Sequence, residues 1–380
     1  MQVLSVDVGT GTQDIYLFRS GISLENGFKL VMLSPTMRVR RQLRQAADRG
    51  EDVLLTGVTM GGGPSQWGAE DVRRAGRRLF ATAEAARTFN DDLDWVRREM
   101  GVEVVSADEA AALRGVTHIR LRDLDYPAIQ TAFASFNVDL QPEAVAVAVF
   151  DHGAAPPGVS DRQFRFDYLR ARIAATNSLT AFAYRAPDVP AEMTRMQAVV
   201  DSYSGPDCPL VVMDTAPAAV LGATLDPIVA RLPRLLVANV GNFHTLAFRL
   251  GPSGIEALFE HHTGLLDRAR LDDLLTALAA GTLTHQAVFS DHGHGALTLH
   301  PDPLDLDGAV PGVVVTGPRR GMMADSRLRP YFAVPFGDMM IAGCFGLLVA
   351  VAHHLPDVRE EIEAALRGAT ADTPPWEAES

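Results

Sequence analysis

The sequence predicts an α/β protein in which two similar domains face one another across a cleft. The first observation is an internal duplication, because the segment at residues 3–14 returns in altered form at residues 236–245. The second is the length of 380 residues, since a single hydrophobic core usually stops growing at about 250–300 residues. The third is composition: 47% of the residues are hydrophobic and 21% are charged, which supplies apolar material for packed cores.

Each copy of the duplicated segment begins as an apolar strand, which ends at Asp7 in the first copy and at Asn239 in the second. A glycine-containing turn follows, and then apolar residues that indicate the next strand of a hairpin. A further turn and a third strand come next in both copies. Both halves are therefore predicted to begin strand, strand, strand, helix. The predicted second and third strands are residues 15–18 and 29–33 in the first half, and 246–250 and 255–259 in the second.

The chain between the two copies contains further predicted elements. A strand is predicted at residues 53–58, followed by helices at about residues 69–84 and 92–100. Residues 144–150 are uniformly apolar, which is typical of a central strand in a sheet that is covered on both faces.

The glycine turns are candidate phosphate sites. Glycine lets the backbone approach an anion closely, and successive N–H groups in a tight turn form a concave anion site. The hydroxyls of Thr10 and Thr12 would extend that site. Asp7 cannot bind phosphate itself, so we expect it to hold a hydrated Mg²⁺ that bridges the phosphate oxygens. Asn239 keeps an oxygen acceptor in the equivalent position and lacks the charge.

Five segments along the chain resemble the five signature segments of the actin-like ATPase superfamily, which includes actin, sugar and acetate kinases, and the heat-shock chaperone ATPases. They resemble, in order, the first phosphate loop, the first interdomain connection, the second phosphate loop, the adenosine segment and the second connection. The segments are DVGTGTQD at residues 7–14, VVMDTAPAAVLG at 211–222, NVGNFHT at 239–245, VVVTGPRRG at 313–321 and a small-residue helix at 337–352.

This resemblance implies two ribonuclease-H-like domains with a nucleotide cleft between them, and ATP and Mg²⁺ as cofactors. The implied first domain is residues 1–210 and the second is residues 211–335, while residues 336–356 form a helix that packs back on the first domain. Residues 371–380 are predicted to be a disordered tail. The residues implied to bind the cofactors, beside Asp7 on the metal, are Gly9, Thr10, Gly11, Thr12, Gln13, Asp214, Asn239, Gly241, Asn242, His244, Thr316 and Gly317.

Asp151 and His152 follow the apolar strand at residues 144–150. Because ligands of open α/β folds bind at the carboxyl ends of strands, both are candidate catalytic residues. Asp151 is the candidate general base or water-orienting carboxylate, since phosphoryl transfer depends mostly on positioning and charge neutralisation. The alternative is that Asp151 caps the following loop by accepting backbone N–H groups.

Histidines are concentrated in the second half of the chain. His261 and His262 follow the predicted third strand, and Asp291, His292 and His294 lie in a glycine-containing turn after another predicted strand. This donor set can ligate Zn²⁺, Mn²⁺ or Fe²⁺, which would be a second divalent metal. Adjacent strand residues point to opposite faces, so His261 and His262 cannot both ligate without a break in the strand. The alternatives are a polar cleft lining and ordinary surface or core histidines.

Three short motifs are similar to those of a prokaryotic family labelled "putative pyruvate formate-lyase activating enzyme". They are DHG at residues 151–153, EHHTG at 260–264 and DHGHG at 291–295. A radical activating enzyme needs three closely spaced cysteines to hold an iron–sulfur cluster. This chain has only Cys208 and Cys344, so we expect reduced, buried thiols and no radical chemistry of that kind.

Charge and hydropathy narrow the function classes. The net charge of −13 at pH 7 argues against a nucleic-acid partner, and Lys29 as the only lysine excludes a GxxxxGK phosphate loop. No apolar stretch is long and uninterrupted enough to span a bilayer. The amino terminus begins a strand at once and lacks the pattern of a leader. We therefore expect a cytoplasmic protein with no membrane contact.

The preferred hypothesis is ATP hydrolysis or phosphoryl transfer to an unknown small molecule. The expected partners are nucleotide and a small anionic substrate near Asp151, His152, His261 and His292, with a homodimer or a partner enzyme as further alternatives. A second hypothesis is a nucleotide-gated activator or regulator of a partner enzyme with little turnover. A third is a metal-dependent hydrolase that uses the histidines and aspartate.

Overall fold

The computed structural model describes residues 1–156, 158–306 and 311–369, so the predicted tail at residues 371–380 lies outside the described residues. The strands in chain order are β1 (Gln2–Val8), β2 (Thr12–Arg19), β3 (Phe28–Leu33), β4 (Val53–Gly57), β5 (Leu79–Thr82), β6 (Glu103–Val105), β7 (Thr117–Leu121), β8 (Ala144–Val149), β9 (Ala183–Arg185), β10 (Leu210–Asp214), β11 (Leu235–Val240), β12 (His244–Gly251), β13 (Gly254–His262), β14 (Gly295–Thr298), β15 (Val313–Thr316) and β16 (Tyr331–Phe332). The α-helices are α1 (Pro35–Asp48), α2 (Pro64–Arg74), α3 (Ala83–Ala86), α4 (Leu93–Glu99), α5 (Ala107–Ala112), α6 (Tyr126–Ala134), α7 (Asp161–Ala175), α8 (Thr194–Asp201), α9 (Thr215–Ala223), α10 (Arg268–Ala279), α11 (His285–Ser290), α12 (Ala342–His354) and α13 (Pro356–Leu366).

Two six-stranded sheets have five strands in the same order and orientation, whereas the sixth strand lies at opposite edges, as β9 beside β10 and as β14 beside β13. The first has the order β3-β2-β1-β8-β10-β9 and the second has the order β14-β13-β12-β11-β15-β16. In the first, β1 is antiparallel to β2 and parallel to β8, and in the second β11 is antiparallel to β12 and parallel to β15. The duplication in the sequence is therefore a duplication of topology. The prediction that both halves begin strand, strand, strand, helix is confirmed.

Strand β10 belongs to the first sheet, where it pairs in parallel with β8. This sheet therefore extends past residue 210, where the sequence analysis places the end of the first domain. Helix α9 begins directly after β10, at Thr215, and leads toward the second sheet. The structure thus has the strand and helix expected for the segment at residues 211–222.

A third sheet with four parallel strands, in the order β6-β5-β4-β7, lies between α1 and β8 in the chain. The sequence analysis predicts one helix over residues 69–84, and that prediction is wrong. Helix α2 ends at Arg74, Gly76 has a φ of +68°, and β5 follows. Glycine adopts the positive φ that commonly ends a helix. The short apolar run after Gly76 then pairs as strand β5 in the third sheet.

The uniformly apolar strand β8 is buried on both faces, as predicted. Val145, Val147 and Val149 belong to one hydrophobic core, and the alternating alanines at 144, 146 and 148 belong to the core under α12. Side chains of a strand alternate between the faces of its sheet. The small alanine face lets α12 pack close to the strands.

Helix α12 crosses α9 at two glycines. A Cβ on Gly346 would collide with the backbone carbonyl of Ala218, and one on Gly222 would collide with that of Ala342.

The segment just before α12 forms an ion pair with β3. Asp338 Oδ2 lies 3.7 Å from Nζ of Lys29. Although α12 is strongly apolar, no helix within the described residues has the length and hydropathy that a bilayer span requires.

Substituting Gly346 by alanine should destabilise the protein, because the added methyl group meets backbone rather than a flexible side chain. Overpacking of this kind typically lowers the free energy of unfolding by about 1–3 kcal/mol. Urea unfolding followed by circular dichroism measures the change. Gly321→Ala is the control, since none of the described part of the chain lies within 4 Å of a Cβ at that position. Equal unfolding midpoints for the two variants would contradict the tight crossing of α9 and α12.

Candidate functional site

Strand ends from both six-stranded sheets, together with loops of the third sheet, enclose a cavity of about 350 Å³. That volume lies within the range of small-ligand pockets, about 300–1,000 Å³. The predicted site residues on its wall are Asp7, Gly9, Thr10, Thr12, Asp151, His152, Asn239, Gly241, Asn242, His244, Thr316 and Gly317.

The turn after β1 is closed by a hydrogen bond of 3.0 Å from Gly9 N to Thr12 O. A Cβ on Gly9 would lie 2.9 Å from the same oxygen, so the turn needs a residue without a side chain. Ser34 holds the turn from outside, because its hydroxyl donates to Thr10 O at 2.5 Å and its N–H donates to Gly11 O at 3.2 Å. The turn is therefore fixed before any ligand binds.

The turn after β11 repeats this geometry. Gly241 N donates to His244 O at 3.0 Å, and a Cβ on Gly241 would lie 2.5 Å from that oxygen. Gly241 stands two places after Asn239, as Gly9 stands two places after Asp7. The two copies of the segment therefore form the same turn with the same bond.

The two turns meet each other. A Cβ on Gly11 would lie 2.9 Å from Nδ2 of Asn242, and residues of both turns line the cavity. Gln13 is the exception in the first segment, because its side chain donates to Leu33 O of β3 at 3.1 Å. The structure therefore brings the predicted phosphate turns together from residues that are far apart in the chain.

Asp7 and Asp14 face each other as partners in the β1–β2 pair, and both line the cavity. Asp7 accepts a hydrogen bond of 2.6 Å from the hydroxyl of Thr215. Asp14 Oδ1 is buried and has no hydrogen-bond partner among the described residues. Burial raises the pKa of Asp7 to about 6, and burial together with the charge of Asp7 raises the pKa of Asp14 to about 8. Two carboxylates in this state can be stabilised by a cation.

Sequence reasoning missed Asp14 as a site residue. The signal was the hairpin itself, because residues at equal distances from a tight turn pair across the two strands. Gly343, at the start of α12, was also missed. A Cβ there would collide with the carboxylate of Asp7, so this glycine provides the space that Asp7 occupies.

Asn239, Thr316 and Gly317 form the wall on the side of the second sheet. Asn239 pairs with Thr316 across β11 and β15. Gly317 has a φ of +98°, and a Cβ on it would lie 2.5 Å from Asn239 Oδ1. The close approach of Asn239 to this turn therefore depends on glycine at position 317.

Both carboxylate oxygens of Asp151 accept backbone hydrogen bonds. Oδ1 accepts from Gly153 N at 2.8 Å and Oδ2 accepts from Met196 N at 2.9 Å. Burial raises the pKa of this carboxyl. This bonding is the geometry of the alternative, in which Asp151 caps the following loop. A general base needs an oxygen directed at its substrate.

Two arginines on the cavity wall were not among the predicted site residues. Arg195 lies on α8, where it forms two hydrogen bonds of 2.7 and 2.9 Å to Asp123 and donates to Phe150 O at 2.6 Å. Arg87 directly follows α3, the short helix after strand β5 of the third sheet, and also lines the cavity. They supply positive charge on the side of the cavity that faces the third sheet.

Asp214 is fully buried and lies outside the cavity lining. It caps α9 by accepting from Ala216 N at 3.2 Å, and it pairs with the guanidinium of Arg165. Arg165 also donates to Glu260 at 3.3 Å and to Asp151 O at 3.0 Å. This buried ion cluster joins the first sheet, α7 and the second sheet.

The predicted metal donors separate onto two faces of β13. On one face His262 lies opposite His244 in the β12–β13 pair. On the other face His261 Nε2 lies 3.5 Å from Asp291 Oδ2, and His292 is exposed with a φ of +63°. The turn that contains His292 follows helix α11 rather than the strand that the sequence analysis predicts. The predicted set is therefore not one cluster.

A different set of histidines comes together. The imidazoles of His152, His244 and His294 offer nitrogens that all lie within 4.8 Å of one another. His262 contacts two of them, with ring centroids 5.0 Å from His244 and 4.8 Å from His294. Burial lowers the pKa of His152 to about 3 and lowers the pKa values of the others. The imidazoles are therefore neutral at pH 7.

The two cysteines do not fit an iron–sulfur cluster. Cys344 is fully buried on α12 and donates to Asp14 O at 3.1 Å, and burial raises the pKa of its thiol. Cys208 is half-buried before β10, 3.7 Å from the hydroxyl of Tyr203, and packs in a different hydrophobic core. Two separated thiols cannot supply the three closely spaced ligands of a radical activating enzyme.

The fold and the site define an α/β protein with a duplicated glycine turn on one shared cavity. The chain belongs to the family described as "Putative pyruvate format-lyase activating enzyme (DUF1786)", which matches residues 60–322. The narrower family resemblance in the sequence analysis is thereby confirmed. A comparison with curated proteins found no match.

Among solved structures, the chain is similar to a ROK hexokinase from Thermus thermophilus. The identity is 13% and the TM-score 0.31, over 94% of this chain and 100% of the hexokinase. It is also similar to an exopolyphosphatase-like protein, with 11% identity and a TM-score of 0.17, over 76% of this chain and 57% of the other.

The raised pKa values of Asp7 and Asp14 predict that stability falls with pH. A carboxyl with a higher pKa in the folded state binds more protons when folded, so the free energy of unfolding decreases as pH rises from about 4 to 8. Asp14→Asn should remove most of this decrease, a difference on the order of 3 kcal/mol between pH 5 and 8. Urea unfolding in chelator-containing buffer measures it. Exposed Asp48→Asn is the control, and parallel curves for all three proteins would refute the prediction.

Proposed function

We propose that the cavity binds a nucleoside triphosphate, ATP, together with Mg²⁺, between two ribonuclease-H-like domains of the actin-like ATPase type. One observation carries the proposal. The bonds Gly9 N to Thr12 O and Gly241 N to His244 O are the same bond in two copies of one turn, each of 3.0 Å. Both turns lie on one cavity, which suits a ligand with phosphate groups held from two sides.

The turns offer what phosphate oxygens need. Glycine at positions 9 and 241 leaves the backbone open to close approach. The half-buried Thr10 and Thr12 add hydroxyl donors on the first side, and the amide of Asn242 adds another on the second. The chain has no phosphate-loop lysine, so backbone N–H groups and hydroxyls would hold the phosphate oxygens, and a bound cation would offset part of their charge.

Asp7 and Asp14 are the groups that fit Mg²⁺. Magnesium prefers oxygen ligands and usually keeps several waters, with one or two carboxylates from the protein. The pair has an unpartnered buried oxygen on Asp14, and raised pKa values that a cation would lower. When bound, Mg²⁺ would neutralise phosphate charge. Thr215 orients Asp7 through its hydroxyl hydrogen bond.

The adenosine is proposed to lie along Thr316 and Gly317. Both line the cavity on the side of the second sheet, next to Pro318, and Met339 and Met340 line it near the start of α12. Methionine side chains adapt to flat ring systems and contact aromatic groups favourably. This wall contrasts with the polar turns and is suited to the less charged end of a nucleotide.

The proposed reaction is ATP hydrolysis or phosphoryl transfer to a small anionic acceptor. Arg195 and Arg87 line the wall toward the third sheet, where Asp123 pairs with Arg195 and Asp91 lies near Arg87. The guanidinium N–H groups not engaged by these carboxylates can donate to an anionic acceptor or to a transferring phosphoryl group. The acceptor region predicted around His261 and His292 lies away from this wall, because neither residue lines the cavity.

Calorimetric titration of metal-stripped protein with ATP tests the binding proposal. Binding should require Mg²⁺, and Asp7→Asn should weaken it at least tenfold, or about 1.4 kcal/mol, because the carboxylate charge is lost. Gly241→Val should also weaken it, since the side chain meets the turn carbonyl. Gly264→Val is the matched control, because no atom of the described residues lies within 4 Å of a Cβ there. Binding that ignores both Mg²⁺ and Asp7→Asn would reject the proposal.

A second candidate is a nucleotide-gated activator or regulator of a partner enzyme. It is favoured by the bonding of Asp151, whose two oxygens each accept a backbone N–H group, as expected for a carboxylate that holds the following loop. In this role closure on nucleotide is the output and turnover is slow. The family description, which names an activating enzyme, is compatible with it.

ADP formation under saturating Mg²⁺ and ATP separates the two candidates, because both hydrolysis and phosphoryl transfer release ADP. For an ATPase or kinase we expect turnover in the usual range of about 1–10³ s⁻¹, once the acceptor is present for the kinase, and Asp14→Asn should abolish it. For the regulator we expect nucleotide binding with turnover at least a hundredfold slower. Asp48→Asn should leave either result unchanged. Rapid turnover that survives Asp14→Asn would show that the proposed magnesium pair has no part in the reaction.

A further inference from the structure

Four imidazoles meet beside the cavity, where β8 and β13 end and where β12 and β14 begin. They belong to His152, His244, His262 and His294. His152 and His244 have ring centroids 5.4 Å apart, His152 and His294 are also 5.4 Å apart, and His244 and His294 are 5.1 Å apart. Phe150 stacks on His244 at 4.1 Å with nearly parallel rings. The cluster is assembled from residues that are distant in sequence and held from several elements.

We propose that His152, His244 and His294 bind a single divalent transition-metal ion, Zn²⁺ in the first instance. His294 is fully buried and neither of its ring nitrogens has a hydrogen-bond partner among the described residues. His244 Nε2 is likewise buried without one. Buried polar groups are almost always hydrogen-bonded, so unpartnered nitrogens that converge on one point indicate a missing ligand.

The spacing suits a metal ion after small side-chain rotations. The candidate nitrogens lie within 4.8 Å of one another. Tetrahedral zinc, with Zn–N bonds of about 2.0–2.1 Å, places its nitrogen ligands about 3.4 Å apart. His262 lies against His244 and His294 and closes the remaining side of the cluster.

A carboxylate stands behind the buried histidine. Glu260 Oε1 lies 3.6 Å from His294 Nδ1, and this oxygen has no hydrogen-bond partner within the described chain. The other oxygen of Glu260 accepts from Arg165, which fixes the side chain. Metal-binding histidines usually donate their second ring N–H to such a carboxylate, which sets the tautomer and the orientation of the ring. Glu260 is thus a positioning residue that directs His294 Nε2 toward the cluster.

The donor set selects the kind of ion. Imidazole nitrogens suit Zn²⁺, Fe²⁺ and other borderline ions, whereas Mg²⁺ prefers oxygen. The histidine site and the Asp7–Asp14 pair therefore differ in chemistry and do not compete for one ion.

The site would leave coordination positions open toward the cavity. His152 and His244 line the cavity, and His294 lies behind them. Three histidine ligands with a further position for water or substrate is the pattern of catalytic zinc, whereas structural zinc has four protein ligands. An oxygen of a cavity ligand, such as a carboxylate or a phosphate, is the group that such a position accepts.

Titration of chelator-treated full-length protein with Zn²⁺, without nucleotide, tests this inference. We expect one ion per chain by calorimetry and elemental analysis, and strong visible absorption with Co²⁺ as in a site of low coordination number. His152→Gln and His294→Ala should each weaken zinc affinity by at least the roughly 10–100-fold that loss of an outer partner causes. His152 is half-buried, and glutamine keeps a polar side chain there, so His152→Gln should still fold. It therefore tests the site even if His294→Ala does not fold.

Exposed His353→Ala and His292→Asn are the controls, and both should bind zinc as the unaltered protein does. Loss of zinc in His292→Asn alone would point to the face of His261 and Asp291 and overturn the inference. Folded protein that binds no zinc, or equal affinity in His152→Gln, would also overturn it and leave a structural histidine cluster. Asp7→Asn should keep zinc, so failure of nucleotide binding is distinguishable from failure of this site.

Discussion

The buried guanidinium of Arg165 is the interaction on which the rest of the site depends. It contacts Asp214 at the end of β10, Glu260 on β13 and the carbonyl of Asp151 after β8. These groups come from both six-stranded sheets, so one charge sets their separation. Burying an ion is costly unless it is fully paired, and removing one partner leaves an uncompensated charge in the interior. The three partners of Arg165 must therefore be in place together. Their positions also fix the strand ends that carry the glycine turns and the histidines.

The same cation adds to the effect of burial on the histidines around it. Burial is the largest cause that lowers the pKa values of His152 and His294, and the charge of Arg165 lowers them further. Arg165 also lies over the ring of Phe150, with 4.5 Å from Cζ to the centroid, and Phe150 in turn stacks on His244. A structural ion cluster and a candidate metal site thus share their supports. Changes to either would be felt by the other, because they have Glu260 in common.

Local sequence patterns predict the hairpins and strands whose form depends on residues close together in the chain. The apolar strands and glycine turns at Asp7 and Asn239 give both sheets their opening hairpins, and the alternation of β8 gives its two faces. The helix prediction across Gly76 failed because a short strand gains its stability from neighbouring strands, which no local window contains. The metal donors were predicted from histidines that are close together in the sequence. In the structure, the face of the strand to which each side chain points decides which histidines meet. His152 joins His294 only through long-range packing that spacing cannot reveal.

The pair formed by Lys29 and Asp338 has a practical consequence. Because no other lysine occurs in the chain, Lys29 is the one side-chain target for amine-reactive dyes, and it lies on β3 beside the segment that leads into α12. The α-amino group is the other reactive amine, and an α-amino group ordinarily loses its proton at lower pH than a lysine, so it can be blocked first near neutral pH. A fluorophore then attached to Lys29 would lie at the edge of the first sheet and could report movement of α12 against the hairpins without a new residue.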